Sequence, residues 1–283
     1  MKTIYFILLI ILVSGCGSIN PKYSTNISVE EGSDVEMNGN SDSIEKPNHI
    51  NLVFNPLMME DIKSNTEITT KWELIKSIPF GEIEGNEVEL EIYKSNSKED
   101  NLRSELNGIL KTQEVQLVIS DLADSFIEKK ELDCSQFCLF QRIFAEQEQY
   151  ELLGSVELYS NGPGNRLYIV YDLINDKFKS FNAWGEPYFI DLDDDGSDEF
   201  IIEFQGLHMS LPDITIIKAY NGKLGFSESV FSSIQRNPGD FATLNINNNP
   251  PTIMISNVQS DLEKIHNYIY NQGVLERTES KLK

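Results

Sequence analysis

The sequence predicts a mainly β, antiparallel fold, and three features carry that expectation. Two segments, 87–93 (Glu-Val-Glu-Leu-Glu-Ile-Tyr) and 114–120 (Glu-Val-Gln-Leu-Val-Ile-Ser), alternate polar and apolar residues. A period of two puts one face of a strand on a core and the other in water. Further short apolar runs follow at close spacing through 155–227. The breaks between them are rich in Gly and Asn, which accept the positive φ of tight turns.

Taken in order, strands are expected at 87–93, 114–120, 155–159, 167–171, 177–181, 187–190, 200–204, 214–220 and 224–227. The separator Asn161-Gly162-Pro163-Gly164-Asn165 reads as a turn, and Asn221-Gly222 is a strong hairpin signal. Between about 121 and 150 the alternation loosens. Leu122, Phe126 and Ile127, then Phe140, Ile143 and Phe144, fall at helical spacings, so a short helical or irregular insertion is expected there. A weak internal repeat is also visible. Residues 191–195 with 200–202 lie over 245–249 with 254–255 at an offset of 54, and each copy leads to a hairpin.

The N-terminus is a targeting segment. Lys2 is followed by an apolar run over 4–13, about ten residues, where a bilayer core needs roughly 20. The run ends in Val13-Ser14-Gly15-Cys16, which resembles the lipobox of bacterial lipoproteins. That resemblance implies a signal peptide over 1–15, diacylglycerol on the Cys16 thiol and a further acyl chain such as palmitate. It places the chain in the cell envelope, anchored on a membrane and facing the periplasm or the outside. More than one acyl chain gives durable anchoring, since each buried CH₂ adds ~0.8 kcal/mol. Residues 16–49 are rich in Ser, Asn, Gly and acids, a composition too polar to bury a core, and are expected to be a flexible tether. The folded domain is expected over 50–283.

Acidic residues outnumber basic ones 45 to 23, for a net charge of −22. Such a charge repels phosphate backbones, which excludes nucleic acid as a partner and favours cations. The segment Asp191-Leu192-Asp193-Asp194-Asp195-Gly196-Ser197-Asp198-Glu199 concentrates that charge. Alternate carboxylates can converge on a hard cation if the backbone curls, and Gly196 permits the curl. An EF-hand would need an acid at the twelfth position, which is Ile202, and helices on both sides. Flanked instead by strand signals, the loop resembles those of FG-GAP and VCBS-type repeats. The resemblance covers 187–227 well and 240–276 weakly. It implies β-propeller-like hairpin repeats, with a β-sandwich as the alternative. It also implies a structural calcium ion held by Asp191, Asp193, Asp195 and Glu199, with the Ser197 carbonyl as a further oxygen.

Cys134 and Cys138 are close enough in sequence for a disulfide in an exported protein, with free thiols or a metal or redox pair as alternatives. His49, His208 and His266 are scattered and show no metal-ligand spacing. Trp184, Tyr188, Tyr168 and Tyr171 form an aromatic group whose simplest role is cross-strand packing. No nucleophile elbow, phosphate loop or zinc motif is present, and no catalytic residue is assigned. The expected function is a non-enzymatic binding, adhesion or assembly module with an unidentified protein or glycan ligand. A hydrolase with a loop-borne site and a purely structural envelope component are the alternatives.

Overall fold

The computed structural model describes residues 46–62, 72–95, 104–113, 115–124, 138–159, 164–207, 210–234, 239–258 and 265–278. They form four antiparallel meanders of four strands each, laid down in chain order. The first sheet holds β4 (Trp72–Ile83), β5 (Asn86–Ser95), β6 (Leu106–Lys111) and β7 (Gln116–Ile119). The second holds β8 (Cys138–Ala145), β9 (Glu148–Glu157), β10 (Asn165–Asp172) and β11 (Lys177–Trp184). The third holds β12 (Glu186–Ile190), β13 (Glu199–Phe204), β14 (Asp213–Tyr220) and β15 (Lys223–Ser227). After a single helical turn, α1 (Val230–Ser233), the fourth holds β16 (Asp240–Asn245), β17 (Thr252–Asn257), β18 (His266–Asn271) and β19 (Val274–Arg277).

Side-chain patterning explains how the sheets stack. One cluster, including Phe80, Leu90 and Ile92 of the first sheet and Leu153, Val156 and Ile169 of the second, joins those two. A second joins Leu152, Tyr168 and Val170 to Phe200 and Ile202, and so the second sheet to the third. A third joins Ile201, Ile214 and Ile216 to Ile253, Ile255, Tyr268 and Tyr270, and so the third sheet to the fourth. The second and third sheets are therefore buried on both faces, which accounts for unbroken runs such as Phe200-Ile201-Ile202. The first sheet, at one end of the row, keeps the alternating pattern of β5, with Val88, Leu90 and Ile92 turned to the core. Among the described residues no core cluster joins the first sheet to the fourth. Face-to-face layering of this kind fits the sandwich arrangement, and among the described residues no shared core closes the row into a propeller ring.

The N-terminal segment ties the row together. β1 (His49–Asn51) pairs with β19, β2 (Phe54–Pro56) with β15, and β3 (Glu60–Asp61) with β11. Within thirteen residues the chain thus adds a fifth strand to the fourth, third and second sheets in turn. Each addition covers an outer edge that would otherwise present unpaired backbone groups. Upstream of β1, Lys46 and Asp240 form an ion pair, with 7% and 0% of their side chains exposed. The Asn257 amide donates to the other Asp240 oxygen at 2.8 Å, and the Tyr268 hydroxyl donates to the Pro47 carbonyl at 2.8 Å.

Two boundaries differ from expectation. The folded unit reaches back to Lys46, so residues 46–49 belong to the domain rather than to the tether. Their polar side chains hid this, because an ion pair and backbone bonds hold them rather than an apolar face. The insertion expected over about 121–150 is in part wrong: β8 and the start of β9 occupy 138–150 as an antiparallel hairpin. The register of β8 shifts between Cys138 and Gln141, and that bulge breaks the alternation and mimics helical spacing. Phe126 and Ile127 lie outside the described residues, and Leu122 forms a β-bridge with Leu158.

The internal repeat corresponds to topology. The loop after β12 and the loop after β16 each join the first two strands of a meander. The β14–β15 and β18–β19 hairpins each join the last two.

Candidate metal centre

The acidic loop spans the gap between β12 and β13. Leu192, fully buried in the core between the third and fourth sheets, pins it from below and leaves the carboxylates above. Asp194 (φ 58°) and Gly196 (φ 87°) take left-handed backbone, and these two reversals curl the loop. Both Asp191 oxygens accept backbone N–H groups, from Asp195 at 3.1 Å and from Gly196 at 2.9 Å. The Ser197 N–H donates to Asp195 Oδ1 at 2.8 Å. The curl sets one carboxylate oxygen of each of Asp191, Asp193 and Asp195 within 4.8 Å of the others.

Residues of the third and fourth sheets complete the surroundings. From the β18–β19 turn, the Gln272 N–H donates to Asp193 Oδ2 at 3.2 Å. Asp193 Oδ1 is buried without a hydrogen-bond partner. The hydroxyl of Tyr270, on β18, is also buried, in a residue only 1% exposed. Burial, then the nearby charges of Glu199 and Asp193, push the Tyr270 phenol well above its ordinary pKa. Lys218, on β14, holds its Nζ 5.2 Å from the centres of both the Phe54 and Tyr270 rings. Burial lowers its pKa against the pull of Glu199, Asp193 and Asp195, and it forms no ion pair within 4.0 Å among the described residues.

Glu199 opens β13 at 7% exposure, and its Oε2 accepts the Leu192 N–H at 2.9 Å. Burial, reinforced by the charges of Asp193 and Asp195, raises its pKa to about 7 despite that bond. The three aspartates thus form the inner cluster, with Glu199 at its base and Ser197 in the turn. The donor set fits a hard divalent cation. Oxygen ligands are what calcium takes, six to eight of them at ~2.3–2.6 Å, and an orphaned buried carboxylate oxygen is what such an ion satisfies.

Beside the loop lies a cleft of about 830 Å³. Its walls come from the N-terminal segment (Asn51, Phe54), the second sheet (Gln141, Arg142), the third (Lys218, Tyr220, Asn221) and the fourth (Gln272). Asp193, Asp195, Asp198 and Glu199 form its acidic side. Sequence reasoning missed Lys218, Tyr270 and Gln272, because β14 and the β18–β19 hairpin, both distant in sequence from the loop, bring them to it. The one local signal was Lys218 directly after the β-branched run Ile214-Thr215-Ile216-Ile217.

The other sequence candidates fall elsewhere. Cys16, Cys134 and His208 lie outside the described residues. Cys138, the first residue of β8, is disulfide-bonded. His49 sits exposed on β1, and His266 opens β18. The aromatic group packs as expected: Tyr168 is fully buried and stacks on Phe181 at 4.9 Å, and Tyr171 meets Phe178 edge-on at 5.0 Å. Tyr188 packs against the core between the third and fourth sheets, and Trp184, 40% exposed, meets Phe204 edge-on. No family model, curated protein or solved structure matches the chain.

Proposed function

We propose that the chain is a lipid-anchored, calcium-braced binding module of the bacterial envelope, without catalysis of its own. The observation that carries the calcium part is the convergence of Asp191, Asp193 and Asp195 around a buried carboxylate oxygen that has no partner. A cation there offsets the mutual repulsion of the loop acids. It also cross-links the third sheet to the fourth, because Asp193 is already bonded to the β18–β19 turn. Its role is mechanical: it fixes the loop, and with it the acidic wall of the neighbouring cleft. Calorimetric titration is expected to find one calcium ion per chain, with Asp193→Asn/Asp195→Asn abolishing the binding heat. An unchanged isotherm in that variant refutes the site.

The anchor rests on the lipobox-like Val13-Ser14-Gly15-Cys16. The domain would then stand off the bilayer on a tether ending near Lys46. On fractionation, the wild-type chain is expected in the detergent-extractable membrane pool and to incorporate labelled palmitate. Cys16→Ser is expected to lose the label. A variant that still incorporates it contradicts lipidation at Cys16.

A further inference from the structure

We infer that the cleft beside the acidic loop is a saccharide site that takes a neutral glycan, with a bound cation contributing to its floor. The inference rests on the calcium reading and adds a ligand class to it. A cleft of about 830 Å³ is within the range that encloses a small organic ligand, roughly 300–1,000 Å³. It has the chemistry that a polyol needs.

Four side-chain amides, Asn51, Gln141, Asn221 and Gln272, line it from four different parts of the chain, and all four residues are exposed. An amide offers donors and an acceptor together, which matches a hydroxyl, itself both donor and acceptor. At the rim, Tyr220 is 42% exposed and stacked on Phe54, with ring centres 5.5 Å apart. The backing ring holds the tyrosine in place, and its exposed face is a flat apolar surface for the C–H side of a sugar ring. The three aspartates, one oxygen each, leave coordination positions open on an ion that prefers six to eight, and sugar hydroxyls are suitable oxygens to fill them.

Charge selects among saccharides. Asp191, Asp193, Asp195, Asp198 and Glu199 face a divalent cation, Lys218 and Arg142, and Arg142 is partly engaged by Glu151 at 3.7 Å. That sum leaves no surplus of positive charge to hold a carboxylate or sulfate. A neutral sugar fits, and an acidic one is repelled.

The test uses the full chain in detergent, labelled and applied to a printed array of neutral, sulfated and sialylated glycans, with calcium and with EDTA. The expected result is binding confined to neutral glycans and lost in EDTA. Tyr220→Ala, at unchanged melting temperature, is expected to weaken it by about tenfold, and Gln141→Ala to weaken it less. Signal on no glycan, on acidic glycans alone, or equal in Tyr220→Ala overturns the inference. Binding that persists in EDTA refutes the part assigned to the cation. If calcium binds by calorimetry and no glycan does, the saccharide site falls and the calcium site stands; if calcium fails to bind, the reading beneath it falls as well.

Discussion

Gly185→Ala is expected to destabilise the domain by about 3–5 kcal/mol, which combines backbone strain with overpacking. Gly185 is the single residue between β11 and β12, so it makes the whole turn from the second sheet to the third. Its φ is 132°, and an added Cβ would lie 2.4 Å from the Glu203 carbonyl oxygen and 2.9 Å from the Phe204 nitrogen. Both are backbone atoms of β13, the strand that also begins with Glu199, and neither can rotate away. Gly85→Ala is the control. Its φ is 83°, yet the nearest atom to an added Cβ is the Glu82 side chain at 4.0 Å. Strain alone then remains, on the order of 1–2 kcal/mol. Thermal melts of the two variants are expected to separate clearly, with Gly185→Ala lower by several degrees. Equal melting temperatures would contradict the close approach at Glu203.

Asp240→Ala is expected to be as damaging, for an electrostatic reason. It leaves the Lys46 ammonium in a site where only 7% of the side chain meets solvent, and breaking one partner out of a buried pair costs about 3–5 kcal/mol. It also removes the acceptor for the Asn257 amide. For a domain of this size the melting temperature should fall by on the order of 10 °C. Lys46→Met with Asp240→Asn removes both charges and keeps an acceptor for Asn257, so it should recover most of the loss. A single variant that melts like wild type would mean that Lys46 does not hold the N-terminal segment to the fourth sheet. That segment forms β1, β2 and β3, so urea sensitivity of all three edges is expected to rise together in the single variant.

The parts of this fold that were legible in sequence are those governed by neighbours in the chain. The alternation of 87–93 became β5, and Asn221-Gly222 became the β14–β15 turn, with φ of 51° and 79°. The acidic loop was legible because six carboxylates and a glycine fall within nine consecutive residues. The β8 hairpin was obscured by one bulge that moved its apolar residues out of phase. The N-terminal strands were invisible for a different reason. β1 and β2 have three residues each and β3 has two, too short to show a period, and their pairing partners lie more than a hundred residues away. The surroundings of the acidic loop share that origin. Tyr270 and Gln272 meet Asp193 only because the third and fourth sheets stack, and no local pattern records which sheets stack.

The same stacking gives the loop its leverage on stability. On the proposed reading, a cation at Asp191, Asp193 and Asp195 would bind the folded chain and have no formed site in the unfolded one, so its binding free energy would add to folding. At about 100 times its dissociation constant a ligand stabilises by roughly 2.7 kcal/mol. For a domain of this length that corresponds to a rise in melting temperature of about 5–10 °C. The decisive measurement is thermal unfolding of the detergent-solubilised full chain in calcium and in EDTA, alongside Asp193→Ala/Asp195→Ala. The calcium-braced account expects that rise in the wild-type chain and none in the variant. A melting temperature that ignores calcium in both, or rises equally in both, would contradict it.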